Sequence, residues 1–248
     1  METEKIQVNL APGCEDATIR LIELNKDQSR LPVLEPVKIE IEGILGCVAE
    51  YLQKRLSTGQ FCQSDCHILV DREEMTIALI TNETDSRRRA TIIGSLSFYP
   101  KYIQFGINNP EKQWSPAQLG NFFKLNRAFF ANVEDNMMLV TTLKNFSAKV
   151  NQTVEKSRED NGSRSDTFSQ VVNSNLPKSF TVNMPIFKGR GVEQIEVELI
   201  ADVDGRDIKL SLCSPGAEVI VEEQRNAAID EQLSLITSIA PDIAIIEQ

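Results

Sequence analysis

Residues 115–159 have the sequence SPAQLGNFFKLNRAFFANVEDNMMLVTTLKNFSAKVNQTVEKSRE, which predicts two amphipathic helices joined by a short turn at residues 132–136. Ser115 can cap the first helix with its side-chain oxygen, and Pro116 suits the first helical position because no hydrogen bond is lost there. One face of the first helix is aromatic and apolar, with Leu119, Phe122, Phe123, Phe129 and Phe130. We therefore predict a helical hairpin over residues 115–160, inserted between two strand-rich regions.

The second predicted helix carries a narrow apolar stripe whose members recur at steps of four, three and four residues: Leu139, Leu143, Phe146 and Val150. Such spacing is typical of helix packing, either within one monomer or between two copies. Residues 155–163 contain no apolar side chain, which predicts a protruding helical tip followed by a loop. A helix that extends beyond its apolar stripe often contacts a partner subunit or another protein. We therefore take the four stripe residues as a candidate oligomer interface, with a symmetric dimer as the default assembly.

Alternating apolar and polar residues predict strands on both sides of the hairpin. Residues 66–107 predict an antiparallel meander whose third strand covers residues 91–99 and whose fourth covers residues 102–107. Residues 178–213 predict three further strands. A helix is expected over residues 216–240, where Pro241 ends it and a short terminal strand follows.

The beginning of the chain is predicted to form short strands followed by one helix. The strands are indicated by alternation at Ile6, Val8 and Leu10, at Ile19 and Leu21, and at Val37, Ile39 and Ile41. The helix is expected between Gly43 and Gly59. The fold class is therefore α+β, with one or more antiparallel sheets, a helical hairpin insertion and a C-terminal helix. No linker rich in Pro, Gly or Ser divides residues 1–248, so we predict a single domain.

The composition limits the classes of partner. The chain has 248 residues, of which 41% are hydrophobic, and its net charge of −10 arises from 26 basic and 36 acidic residues. This balance disfavours a generic phosphate-binding surface and suits solubility or a basic protein partner. No apolar run approaches the roughly 20 residues of a membrane span, and the N-terminus lacks a signal-peptide core. We therefore expect no membrane partner and a cytoplasmic location.

The best candidate metal ligands are Cys62, Cys66 and His67, the last being the only histidine in the chain. Zinc prefers four thiolate or imidazole ligands in a tetrahedral arrangement, and only three candidates lie together here. The alternative is that the thiols pack as small apolar side chains at the start of a strand. The five scattered cysteines are expected to be free thiols, and no cofactor is predicted.

A candidate nucleic-acid surface combines basic and aromatic residues, namely Arg87, Arg88, Arg89, Lys101, Tyr99 and Tyr102. Aromatic rings beside a basic groove are the usual arrangement for binding single strands. Glu83 and Asp85 adjoin the arginines, and strand aromatics more often belong to a core. Nucleic acid therefore stays open as a partner but is disfavoured by the acidic balance.

Other catalytic and binding motifs are missing from the sequence. There is no nucleophile elbow, no phosphate-binding P-loop and no dinucleotide fingerprint. The run from Asp202 to Asp207 superficially matches a calcium loop, but its twelfth position is Cys213 where that loop requires Glu. Asp204-Gly205 is instead the expected turn of a hairpin. No catalytic residue is predicted.

Three stretches resemble one known family. They are ILVDREEMTIALITNE from residue 68, SPAQLGNFFKLNRAFF from residue 115 and NLPKSFTVNMPIFKG from residue 175. They are similar to the uncharacterised YfdQ-like family of phages and prophages, including the element Pro185-Ile186-Phe187-Lys188-Gly189. The resemblance implies a phage or prophage origin and action in the cytoplasm of a bacterial host. It supplies no functional residue.

Three functional hypotheses follow. The first is a non-enzymatic factor that self-associates or binds a host or phage protein, which the long hairpin and the lack of a catalytic constellation favour. The second is a nucleic-acid-associated protein of phage replication or recombination. The third is a metal-dependent hydrolase that uses Cys62, Cys66 and His67.

Overall fold

The structure, a computed structural model, describes residues 39–59, 61–85, 87–156, 178–204 and 207–248. Within these ranges the side chains of residues 146–156, 203, 204 and 207 are not described. The strands predicted before residue 39 and the loop predicted beyond residue 156 lie outside the described residues. The prediction of a single domain over residues 1–248 stays a prediction.

The described residues form eight strands and five α-helices. The strands are β1 (Ile39–Ile44), β2 (Cys66–Asp71), β3 (Thr76–Thr81), β4 (Ala90–Ser95), β5 (Ser179–Pro185), β6 (Val192–Asp204), β7 (Asp207–Cys213) and β8 (Ala244–Glu247). The helices are α1 (Cys47–Arg55), α2 (Pro100–Phe105), α3 (Pro116–Leu125), α4 (Val133–Lys156) and α5 (Ala217–Ile239). The predicted α+β class, the helical hairpin and the C-terminal helix are confirmed.

The first sheet has five strands in the spatial order β1-β4-β3-β2-β8. Its centre is the predicted antiparallel meander of β2, β3 and β4. The two edges are parallel additions, because β1 pairs with β4 and β8 pairs with β2. The alternation of the central strands buries Ile68, Ile77 and Ile92 on one face, and α1 packs on β3 and β4 and contacts α5. The sheet is therefore mixed, and both edges come from distant parts of the chain.

The predicted fourth strand of the meander is wrong. Residues 100–105 form α2, and β4 ends at Ser95 rather than continuing to residue 99. Pro100 occupies the first turn of α2, and Gly106 ends it with a positive φ of 68°. Proline suits a helix start and a left-handed glycine suits a helix end, so the two residues delimit one short helix. The apolar residues of this segment follow helical spacing, with Phe105 buried and Ile103 exposed.

The second sheet is an antiparallel meander of β5, β6 and β7, as its alternation predicts. The pairing of Asp204 with Asp207 closes the expected hairpin. The two strand regions thus form separate sheets, and an isolated bridge between Phe98 and Phe187 connects the segments that follow β4 and β5.

Hydrogen bonds and close packing hold α3 and α4 together in the helical hairpin. Ser115 and Gln118 form a reciprocal capping box, which confirms the predicted helix start. Asn136 is fully buried, and its amide Nδ2 donates a 3.1 Å hydrogen bond to the carbonyl oxygen of Phe123 on the other helix. The two helices also approach closely at Gly120, where an added Cβ would be in van der Waals contact with the Cβ of Leu143 at 3.4 Å. The hairpin is therefore a closely packed pair.

The close approach at Gly94 makes one substitution informative. A Cβ on Gly94 would lie 2.7 Å from the carbonyl oxygen of Leu45, which is backbone and has little freedom to move. We expect Gly94→Ala to lower the free energy of unfolding by about 1–3 kcal/mol in urea denaturation. Gly191→Ala is the matched control, because its Cβ would meet no atom within 4 Å. Equal stability of the two variants would contradict the described path of the β1–α1 connection.

Candidate interaction surface

The main helix contacts of β3 and β4 are with α1 on one face of the five-stranded sheet, and none of the described helices makes comparable contacts with the other face. The side chains of Leu69, Ala78, Ile80 and Ile93 alternate with the buried positions of β2, β3 and β4, so they point to this second face. All four are half-buried. We call these four residues the open face.

The strand register places three members of the open face side by side. Leu69 pairs with Ala78, and Ala78 pairs with Ile93. The row continues to Ile246 on β8 at one edge and to Glu42 on β1 at the other. Apolar side chains from four neighbouring strands therefore form one continuous strip. A contiguous apolar surface of this kind is typical of an interaction site.

The sequences of the central strands also indicate a covered second face. The strands CHILVD, TIALIT and ATIIGS carry apolar residues at both odd and even positions. A sheet that meets water on one side usually alternates apolar and polar residues, whereas a sheet covered on both sides has nearly continuous apolar strands. The alternation of these strands predicts one buried face, and the apolar residues at the intervening positions are the sequence signal of the open face.

The two edges of this sheet are less suited to strand pairing. No described strand pairs with the outer side of β1, whose six residues are all exposed and include Glu40 and Glu42. At the other edge, β8 is four residues long and ends in Glu247, which accepts a 2.7 Å hydrogen bond from Arg72. Charged residues and short length protect edge strands from further pairing. The open face is therefore a better contact surface than either edge.

The predicted oligomer interface on the hairpin needs correction. Leu139 and Leu143 lie inside the monomer, with 4% and 0% of their surface exposed. They face α3, so the alternative of packing within one monomer is the right one for these two residues. Phe146 and Val150 belong to α4, but their side chains lie outside the described set. Leu139 and Leu143 therefore pack within the monomer, and the oligomer interface stays a prediction for Phe146 and Val150.

The predicted metal ligands do not converge. Cys66 is buried on the inner face of β2, whereas His67 points to the opposite face and its Nδ1 lies 2.5 Å from Oε2 of Glu83. Cys62 is exposed, and its backbone carbonyl accepts a hydrogen bond from the Cys66 thiol. Across the described ranges, no three His, Cys, Asp or Glu side chains are grouped so that they could hold a metal ion. Glu83 lies 16 residues from its partner His67 in the chain, and no local sequence signal connects the two.

The thiols of Cys62 and Cys66 should differ in reactivity. The hydrogen bond between Cys62 and Ser64 lowers the pKa of the Cys62 thiol, and burial raises the pKa of the Cys66 thiol. A lower pKa gives more thiolate at neutral pH, so Cys62 should react faster with a disulfide reagent such as DTNB. Cys62→Ser should remove a fast labelling phase in a Cys14→Ser background. Cys66→Ser is the control, and loss of the fast phase in that variant instead would contradict the assignment.

The candidate nucleic-acid residues separate into two groups. Arg87, Arg88 and Arg89 are exposed in the turn that precedes β4. This turn is held internally, since Arg88 lies 3.8 Å from Asp85 and Arg89 donates a hydrogen bond to the carbonyl oxygen of Glu83. Arg88 is therefore partly engaged by the carboxylate of Asp85, and Arg89 by the backbone of Glu83.

The aromatic group lies beyond the other end of β4, near α2. A strand of six residues is roughly 17 Å long, which separates this group from the arginines. Tyr102 stacks on Phe98 with ring centroids 5.9 Å apart, and burial raises the pKa of Tyr102. Tyr99 packs edge-on against Phe129. The structure does not bring the predicted stacking rings and the arginines into one groove.

None of the helices in the described ranges combines the length and the apolar character that crossing a membrane requires.

Comparison with known proteins gives no assignment. No family model, curated protein or solved structure matches this chain.

Proposed function

We propose that the protein is a non-enzymatic factor that self-associates, and that two copies form a symmetric dimer by packing their open faces together. The observation that carries the proposal is the continuous apolar strip across β4, β3, β2 and β8, which no described element covers. Two such faces can stack with their sheets about 10 Å apart, as in sandwich folds. The same patch then serves both copies, as a two-fold axis requires.

The size of the open sheet face fits a reversible dimer. Five strands of up to six residues span roughly 20 Å by 20 Å, or about 400 Å² for each copy. Two copies would thus bury about 800 Å² in total, which is below the roughly 1,200–2,000 Å² of stable interfaces and in the range of weak, transient ones. We expect a dimer whose population depends on protein concentration rather than an obligate one.

The charge of the chain gives the association a distinctive salt dependence. Each copy carries a net charge of −10, so two copies repel one another at long range. Added salt screens this repulsion and leaves apolar burial intact. Self-association should therefore strengthen as the salt concentration rises. A complex with a basic protein or a nucleic acid would weaken instead.

Sedimentation velocity of the full chain tests the proposal. We expect the weight-average mass to rise from monomer towards dimer between about 1 µM and about 100 µM, with the transition moving to lower concentration in high salt. A strict monomer over this range at every salt concentration would overturn the proposal.

A phage or prophage origin and action in a bacterial cytoplasm belong to the same proposal through the resemblance to the YfdQ-like family.

A further inference from the structure

A cleft of about 560 Å³ opens at the carboxyl ends of the parallel strands β1 and β4. The last residues of these strands, Ile44 and Ser95, are neighbours in the register and both line it. The remaining walls come from the β1–α1 connection, the 188–190 loop and α5. Ligands of sheet proteins with parallel strands commonly bind outside the carboxyl ends of the strands, and this volume is that of a small-molecule site.

The cleft concentrates positive charge in an acidic protein. Lys188 is exposed at its wall, and its ammonium group makes no ion pair with any described side chain. Arg190 lies beside it, where Nη1 donates a 2.5 Å hydrogen bond to Glu231. A guanidinium has five N–H donors, so this contact leaves most of them available. With two cations and one carboxylate, the cleft has a net charge of +1, whereas the chain carries −10.

A polar atom in the cleft wall lacks a partner. Oε1 of Gln232 is buried and accepts no hydrogen bond in the described structure. It lies close to the start of α1, because a Cβ on Gly46 would be 3.6 Å from it. A buried acceptor without a donor costs about 1–3 kcal/mol, so native proteins usually supply one from the chain, water or a ligand. Because this oxygen is covered by protein atoms, the groups that the cleft offers to a ligand are its two cations.

We infer that this cleft binds a small molecule that carries a phosphate or carboxylate group. Lys188 and Arg190 bind the oxyanion. Charge-assisted hydrogen bonds to an oxyanion are the strong contacts in this arrangement. The site is separate from the open face, whose members do not line the cleft.

Isothermal titration of the full chain with pyrophosphate and, separately, with citrate tests the inference. We expect at least one of these probes to bind with a dissociation constant below about 1 mM, and the tighter probe identifies phosphate or carboxylate as the preferred oxyanion. Failure of both probes to bind the full chain would overturn the inference.

A charge reversal in the cleft tests which residues bind the oxyanion. Lys188→Glu should weaken binding of the tighter probe at least about tenfold. Lys124→Glu is the matched control, because it makes the same charge change at an exposed lysine on α3 that does not line the cleft. Unchanged affinity in Lys188→Glu, or an equal loss in both variants, would show that the cleft is not the binding site. Circular dichroism verifies that each variant is folded, and sedimentation separates this result from self-association.

Discussion

Ile93→Lys is expected to weaken dimerisation of the full chain at least about 30-fold, which corresponds to about 2 kcal/mol. Ile93 lies in the apolar row between Ala78 and Glu42, and a two-fold dimer would place two of the new lysines in the interface. Burying the new ammonium group in the interface is unfavourable even when Glu42 on the neighbouring strand pairs with it, because both charges lose water. Sedimentation at matched concentrations measures the change.

Ile103→Lys provides the control for the open face. Ile103 is 60% exposed on α2, outside the first sheet, so the same substitution should leave the dimer unchanged. If Ile93→Lys proves to be unfolded, Ala78→Arg places a charge in the same row from a smaller parent side chain. If a folded variant dimerises as strongly as the wild type, the open face is not the dimer interface.

Phe123→Ala is expected to lower the free energy of unfolding by about 3–5 kcal/mol. Phe123 is fully buried, and its ring centroid lies 5.1 Å from that of Phe130 and 5.1 Å from that of Phe180 on β5. Its backbone carbonyl also accepts the hydrogen bond from Asn136. The substitution would leave a cavity between the helical hairpin and the second sheet. Urea denaturation followed by circular dichroism measures the loss.

Leu125→Ala is the natural comparison because it removes a large apolar side chain from the same helix. Leu125 is 84% exposed, so its replacement should change the free energy of unfolding by no more than about 0.5 kcal/mol. If Phe123→Ala were as mild as Leu125→Ala, the hairpin would not share a core with the second sheet.

Local sequence signals predicted much of this fold. Ser115 and Pro116 located the start of α3, Pro241 located the end of α5, and strand alternation located the second sheet. Each of these signals acts within a few residues of the chain. Segment 100–105 was misassigned because Tyr102, Ile103 and Phe105 are also common in strands. The residues that favour a short helix here are Pro100 and Gly106, at its two ends.

The pairing of strands that are distant in the chain could not be predicted from the sequence. The sequence of residues 39–44 does not indicate that this strand pairs in parallel with β4. The sequence of the short β8 likewise does not indicate that it pairs with β2. The residues of the candidate metal and nucleic-acid sites lie apart for the same reason. Neighbouring positions in a strand point to opposite faces, which separates Cys66 from His67, and the length of β4 separates the arginine turn from Tyr102. Proximity in sequence did not give proximity in space.

The position of β8 also has a consequence for the order in which the protein is made. Until residues 244–247 have been synthesised, the side of β2 that they occupy has no partner, although β2, β3 and β4 are complete much earlier. The ribosome must first produce the entire second sheet and α5. A nascent chain therefore carries an unpaired strand edge beside an apolar surface for most of its synthesis, which is the condition under which chaperones bind and chains aggregate.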